Sequence, residues 1–204
     1  MFGGDDSALD AGDRVLDAVE ADLALARGRN IHTRFLAQRD RDPAQAAEDP
    51  AERELFQRAL ALYESLGDAG GEAEALFWLG CFHQVVRRDD VVALPLLERS
   101  LSLATQAGAG ATMSEALRHL GIADHRAGRL DEARARLEES SRLRREAGLL
   151  PGVAANLIGL AYIAAAQSRR EDAQSLLAEA AAIATETGAG RVLHHVTEAR
   201  TNLQ

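Results

Sequence analysis

The chain is 204 residues long, 47% hydrophobic but only 4% aromatic, with 23 basic residues against 32 acids and a formal charge of −9. An acidic protein without a basic stripe cannot displace counterions from a phosphate backbone, so direct nucleic-acid binding is excluded as its main activity. Cys81 stands alone, which rules out an internal disulfide and suits a reducing cytoplasm; no run approaches the ~18 apolar residues of a membrane span, and residues 1–20 carry acids where a signal peptide has positive charge.

An apolar fraction made mostly of Leu, Ala and Val suits closely approaching helices, and the expectation is one nearly all-helical domain. All 23 basic positions are arginine, which reads as codon bias in a GC-rich genome. Asp5, Asp6, Asp10, Asp13, Asp17, Glu20 and Asp22 against Arg14 concentrate the acidity at the amino terminus. Residues 8–40 read as one interrupted helix or two, broken near Gly28, with a loop over 41–49. Asp49, Pro50 and Glu52 then place a cap, a first-turn proline and a favourable acid at the start of a helix to about Leu66, with Phe56 and Ala59 on its inner face.

From there the pattern repeats. Residues 72–87 carry Leu76, Leu79, Gly80 and His83 at three- and four-residue steps; 113–127 carry Leu117, Leu120, Gly121 and Asp124; 154–167 carry Leu157, Leu160, Ala161 and Ala164. A second helix follows each, written Ala93, Leu97, Ser100, then Ala133, Leu137, Ser140, then Ala173, Leu177, Ala180. Gly67, Gly108, Gly148 and Gly188 recur 41, 40 and 40 residues apart, where left-handed helix ends belong. Thr112 with Glu115 and Ser168 with Glu171 have capping-box spacing, and Pro95 falls in or near the first turn of its helix. Gly80 and Gly121 each cost about 1 kcal/mol relative to alanine, which implies a neighbouring helix packed on bare backbone. Val192, Val196, Ala199 and Leu203 form an apolar stripe on a last helix that would close the stack.

The recurring Leu-x-x-Leu-Gly, then Ala-x-x-x-Leu-x-x-(small), resembles the tetratricopeptide repeat in a long form of roughly 40 residues, with full matches at 76–100 and 117–140 and a near match at 157–180. Where that family usually has an aromatic ring, this chain has His83, Asp124 and Ala164. The resemblance implies an all-α, right-handed superhelical solenoid of antiparallel helix pairs. It divides the chain into an irregular helical segment and loop at 1–49, repeats at 50–188 and a capping helix at 189–204. It also implies a concave groove lined by the first helix of each pair. Helical phase places on it Glu74, Phe77, Cys81, Gln84 and Val85; Glu115, Arg118, Ile122, His125 and Arg126; and Ala155, Ile158, Tyr162, Ala165 and Ala166. Such a wall, apolar with an arginine-bearing middle, accepts a peptide with apolar side chains and an acidic group. Some family members clamp a terminal carboxylate with Lys, Asn and Arg. The matching sites here hold Phe77, Cys81, Arg118, Ile122, Ile158 and Tyr162, so that clamp is not carried over.

Catalytic and metal chemistry find little support. His119 and His125, six apart, point roughly 120° away from each other on a helix; His194 and His195 lie on different faces; and no His-Glu-x-x-His or Cys-x-x-Cys occurs. His83 reads as a buried ring bonded to a carbonyl and Cys81 as a small apolar residue. The Gly108-Ala109-Gly110 and Gly188-Ala189-Gly190 turns read as connectors, and Arg142, Arg144 and Arg145, interleaved with Glu138, Glu139 and Glu146, as a solvated outer face. The expectation is a non-enzymatic module without metal or cofactor, clear of membranes, holding a protein or peptide in its groove. Two alternatives stay open. One is a regulatory sensor with an enclosed small-molecule or signalling-peptide pocket near Arg118, His125 and Tyr162. The other is a self-associating scaffold, a homo-oligomer paired through the acidic amino-terminal segment or the last helix.

Overall fold

The computed structural model describes residues 6–203; residues 1–5, at the head of the segment 1–49, and Gln204 lie outside the described residues. Within them the chain is all-α, with nine α-helices and no strand. It divides into two compact units, residues 1–108 and 109–204. The first contains α1 (Asp6–Arg41), α2 (Pro50–Leu66), α3 (Ala69–Cys81) and α4 (Asp90–Ala107); the second contains α5 (Gly110–Arg126), α6 (Leu130–Glu146), α7 (Leu150–Ala166), α8 (Arg170–Glu186) and α9 (Gly190–Asn202). Inside each unit, helices consecutive in sequence pack side by side, as a stack of helix pairs requires. None of the described helices is long and apolar enough to cross a membrane.

The first helix differs from expectation. α1 runs without a break for 36 residues straight through Gly28. A Cβ at Gly28 would lie 2.5 Å from Phe56 Cε1, so the glycine admits the fully buried ring of Phe56 on α2 instead of ending the helix. Around that contact Ala21, Ala24 and Leu25 of α1 pack with Ala59, Leu62 and Tyr63 of α2. The glycines inside the later helices work the same way: a Cβ would meet Leu97 Cγ at 2.7 Å from Gly80 and Leu137 Cγ at 3.2 Å from Gly121. The second-helix pattern is buried throughout, from Ala93, Leu97 and Ser100 to Ala173, Leu177 and Ala180. Its serines add a bond to the preceding helix, Ser100 Oγ donating to the Ala73 carbonyl at 2.7 Å and Ser140 Oγ to that of Ser114 at 2.6 Å.

One turn geometry joins the helices. Gly67, Gly108, Gly148 and Gly188 have φ of 71, 66, 70 and 66°, and the same left-handed backbone occurs at Arg88, Gly128 and Ser168, themselves 40 apart. Each is followed by one residue and then the next helix. That brevity leaves no room for the two capping boxes: α5 starts at Gly110 and α8 at Arg170, so Thr112 lies within a first turn and Ser168 is the left-handed end of α7. Side-chain caps come from Asp49, Asp68 and Asp89. Pro95 is the sixth residue of α4, a turn deeper than expected, and the carbonyl it leaves without an N–H partner belongs to Val91, 86% exposed to water.

The single 41-residue interval has a structural cause. Gly80 and Gly121 are 41 apart, yet Arg88 and Gly128 are 40 apart, so the surplus residue lies between 80 and 88. There α3 continues into a π turn over Phe82–Val86, the form in which a helix takes up one extra residue. Arg87 N–H donates to the Phe82 carbonyl at 3.3 Å, and Asp89 N–H reaches six residues back to His83 at 2.9 Å; the matching bonds elsewhere, Arg129 to Asp124 and Arg169 to Ala164, reach five. Register shifts with the turn. Gln84, not His83, takes the buried place of Asp124 and Ala164. His83 is half-buried, its Nδ1 has no hydrogen-bond partner in place of the expected carbonyl, and burial together with the charge of Arg87 holds its pKa below the ordinary 6.5.

Two measurements check these contacts. Gly28→Ala should destabilise the chain in urea by about 1–3 kcal/mol through overpacking on Phe56, while Gly12→Ala, with nothing within 4 Å of its added Cβ, should stabilise it by roughly 0.5–1 kcal/mol. Deleting His83 restores the 40-residue register and should leave folding cooperative, whereas deleting Ile122, where no surplus residue exists, should unfold its unit. The unfolded state takes up a proton at His83 before the folded state does. Wild-type stability therefore falls as pH drops below 6.5, and the deletion should remove that part of the slope.

Candidate functional site

Of the wall candidates in the first unit, Glu74 and Val85 are half-buried and reach the surface. Glu74 is held there by two donors. It accepts from Arg29 Nη1 of α1 at 3.2 Å and from Trp78 Nε1 at 3.4 Å. Phe77, Cys81 and Gln84 are 3, 4 and 3% exposed, so they pack the unit instead of lining an open wall. Part of the reason is α1, which lays its side chains across α3: His32 meets the Trp78 ring edge-on at 5.6 Å, and the Arg29 guanidinium lies 5.4 Å from that ring.

The same packing builds a row of groups that no sequence motif announced. Glu52 Oε1 lies 2.7 Å from His32 Nδ1, and His32 Nε2 lies 3.6 Å from Cys81 Sγ. Carboxylate, imidazole and thiol in that order are wired like an orienter, base and nucleophile. All three are sealed in the interior, at 0, 3 and 4% exposure, and Glu52 Oε2 has no hydrogen-bond partner. The row therefore ties α1, α2 and α3 together, and Glu52 serves this contact as well as the start of its helix. Its signal was spacing: Glu52 stands four residues before Phe56, and His32 four after Gly28, on the two inner stripes.

In the second unit the candidates gather around a buried polar seam. Arg118 of α5, half-buried, donates from Nη1 to Asn156 Oδ1 of α7 at 2.7 Å. Asn156 Nδ2 in turn donates to Ser140 Oγ at 2.8 Å and Ser141 Oγ at 3.2 Å on α6. Arg144, expected on a solvated face, is instead buried: Nη1 donates to the Gly152 carbonyl at 2.9 Å and Nη2 pairs with Glu115 at 2.6 Å. Gly152 makes room, since a Cβ there would sit 2.7 Å from Arg144 Nη1. Position explains the difference, for Arg144 falls seven residues after Leu137 on the inner stripe, while Arg142 and Arg145 point outward to Glu139 and Glu179. Asp124, in the place of the family's ring, is buried and clamped by Arg129 at 2.6 Å and Arg136 at 3.2 Å.

The consequence is a local excess of positive charge. Burial, and the nearby charge of Arg144, push the Arg118 pKa down to about 10, with Glu115 acting in the opposite direction. Arg118 remains cationic at neutral pH. Ile122 and His125 of α5 and Ile158 and Tyr162 of α7 are half-buried, and Arg126 is exposed; Tyr162 Oη accepts from Asn202 Nδ2 at 3.1 Å. A depression of about 480 Å³ lies apart from Arg118 and His125, lined by Ala165, Arg170, Ala173, Gln174, Leu177, Arg200 and Leu203. Val196 and Ala199 of α9 are buried in the interior of their own unit, with Val192 and Leu203 of the same stripe half-buried beside them.

Residues 112–186, from α5 to α8, match the tetratricopeptide repeat family. No curated protein matches the chain. Repeats of that family generally mediate contacts between proteins and are typically non-enzymatic.

The seam is testable by removing its hub. Asn156→Ala leaves Arg118, Ser140 and Ser141 without the amide they share, and should cost about 1–3 kcal/mol in chemical denaturation.

Proposed function

We propose that the chain is a non-enzymatic protein-interaction module whose second unit holds an extended protein segment along the face made by α5 and α7. What carries the reading is the imbalance at Arg118: two guanidinium groups, Arg118 and Arg144, share the single carboxylate of Glu115 in a half-buried setting. A cation withdrawn from water gains more from an anionic partner than an exposed one does. Ile122, Ile158 and Tyr162 supply apolar contact on the same first helices, and His125 and Arg126 extend the polar edge. The ligand that suits this surface carries an Asp or Glu among apolar side chains. Of the first-unit candidates Glu74 and Val85 remain available to touch a partner.

A second reading, a sensor for a small anionic molecule, draws on the depression near α9. Its volume of about 480 Å³ falls within the range of small-molecule sites, and Arg170 and Arg200 border an apolar floor of alanine and leucine.

Selection of random peptides on the immobilised chain separates the two. Enriched peptides should place an acid beside apolar residues, and Arg118→Leu, measured at a temperature where circular dichroism shows the variant folded because Asn156 loses a donor, should weaken them at least tenfold, about 1.4 kcal/mol. Arg170→Ala with Arg200→Ala should leave them bound. Peptides without acids, or affinity retained in Arg118→Leu, would remove the contact from this face.

A further inference from the structure

α1 has two faces, and only one is used within its unit. Ala21, Ala24, Leu25, Gly28 and His32 form the buried inner stripe. On the opposite side, at about 100° per residue, Leu9, Leu16, Val19 and Leu23 stand 65, 66, 59 and 48% exposed. With Val15 they make up five of the eight exposed large hydrophobic residues described for the chain. Scattered apolar side chains on a surface need no explanation; a continuous stripe does. This one has a period. Leu9, Leu16 and Leu23 recur every seven residues, and Gly12, Val19 and Ala26 follow three later, which are the seam positions of a coiled coil.

Charge indicates the occupant. Between Leu9 and Asp22 the helix carries Asp10, Asp13, Asp17, Glu20 and Asp22 against Arg14; between Leu23 and Arg41 it carries Arg27, Arg29, Arg34, Arg39 and Arg41 against Asp40. One half is acidic and the other basic. A parallel copy would set acid beside acid, whereas an antiparallel copy sets each acidic half against a basic one. An anionic membrane is opposed by the same acids, which flank the apolar stripe.

We propose that α1 pairs with α1 of a second copy of this chain as an antiparallel two-stranded coiled coil centred between Val19 and Leu23. In that register Val19 meets Leu23 of the second copy, Leu16 meets Ala26, Leu9 meets Thr33, and the exposed Asp13 falls beside Arg27. The two Glu20 side chains approach at the centre, where each is already neutralised within its own chain by Arg58 at 2.8 Å. The pairing is independent of the α5 and α7 face, so either proposal stands if the other fails.

Sedimentation of the full chain should give a dimer, and Leu16→Asp, at an exposed position, should halve the mass while leaving the far-ultraviolet circular dichroism unchanged. Direction is read by crosslinking: Leu9→Cys chains oxidised together with Thr33→Cys chains should form mixed disulfide dimers, and Leu9→Cys chains alone should not. A wild-type chain of monomer mass overturns the proposal. So does a dimer that persists in Leu16→Asp, or efficient self-crosslinking of Leu9→Cys.

Discussion

In two of the helix pairs a leucine from the second helix rests where the first has no side chain: Leu97 over Gly80 and Leu137 over Gly121. At Gly80 and Gly121 a methyl group would crowd the facing leucine, which fixes the relative register of those two pairs, while Ala161 stands at the matching place on α7, buried in one cluster with Leu177. From that register the rest follows. Ala93 and Ser100 flank Leu97, as Ala133 and Ser140 flank Leu137, because helices this near tolerate only small residues on either side of the contact. Left-handed turns with a single following residue then deliver each new helix already placed for its own partner.

Close packing would seem to demand an apolar interior, yet several interior positions are polar. Ser100 and Ser140 anchor to carbonyls of the preceding helix, Asn156 joins three side chains, and Asp124 holds two arginines. Buried polar groups are costly when left unmet, so each arrangement works against any slip of one helix along another. Glu52 with His32 does the same between α1 and α2. At Arg118 the seam comes close enough to the surface for structure to become a candidate for recognition: the same guanidinium that braces Asn156 carries unbalanced charge on a partly open face.

The two units have different resources. In the first, α1 lays His32 and Arg29 against α3 and so occupies surface that would otherwise be a wall for a ligand. The outer side of that same helix is left apolar and exposed. In the second, Arg118, Ile122, Ile158 and Tyr162 stay partly open.

Much of this was legible in the chain itself. Helix type, the 40-residue period, the buried Ala-Leu-small stripes and the left-handed ends at Gly67, Gly108, Gly148 and Gly188 all depend on contacts within a few residues or on the handedness of L-amino acids, so periodicity reports them directly. Arg118, Ile122, Ile158 and Tyr162 were legible for the same reason, since helical phase alone puts them beside the core stripe. Gly28 misled because propensity is local, while its purpose, Phe56, arrives from another helix. His83 and Gln84 exchanged places because one inserted residue can enlarge a turn or bulge a helix, and only the hydrogen bonds reveal which. Arg144, Asn156 and the Glu52, His32 and Cys81 row needed partners contributed by other helices. Sequence by itself determined the parts and their spacing; the tertiary structure decided which faces stay open, because covering a face takes a helix that local pattern cannot place.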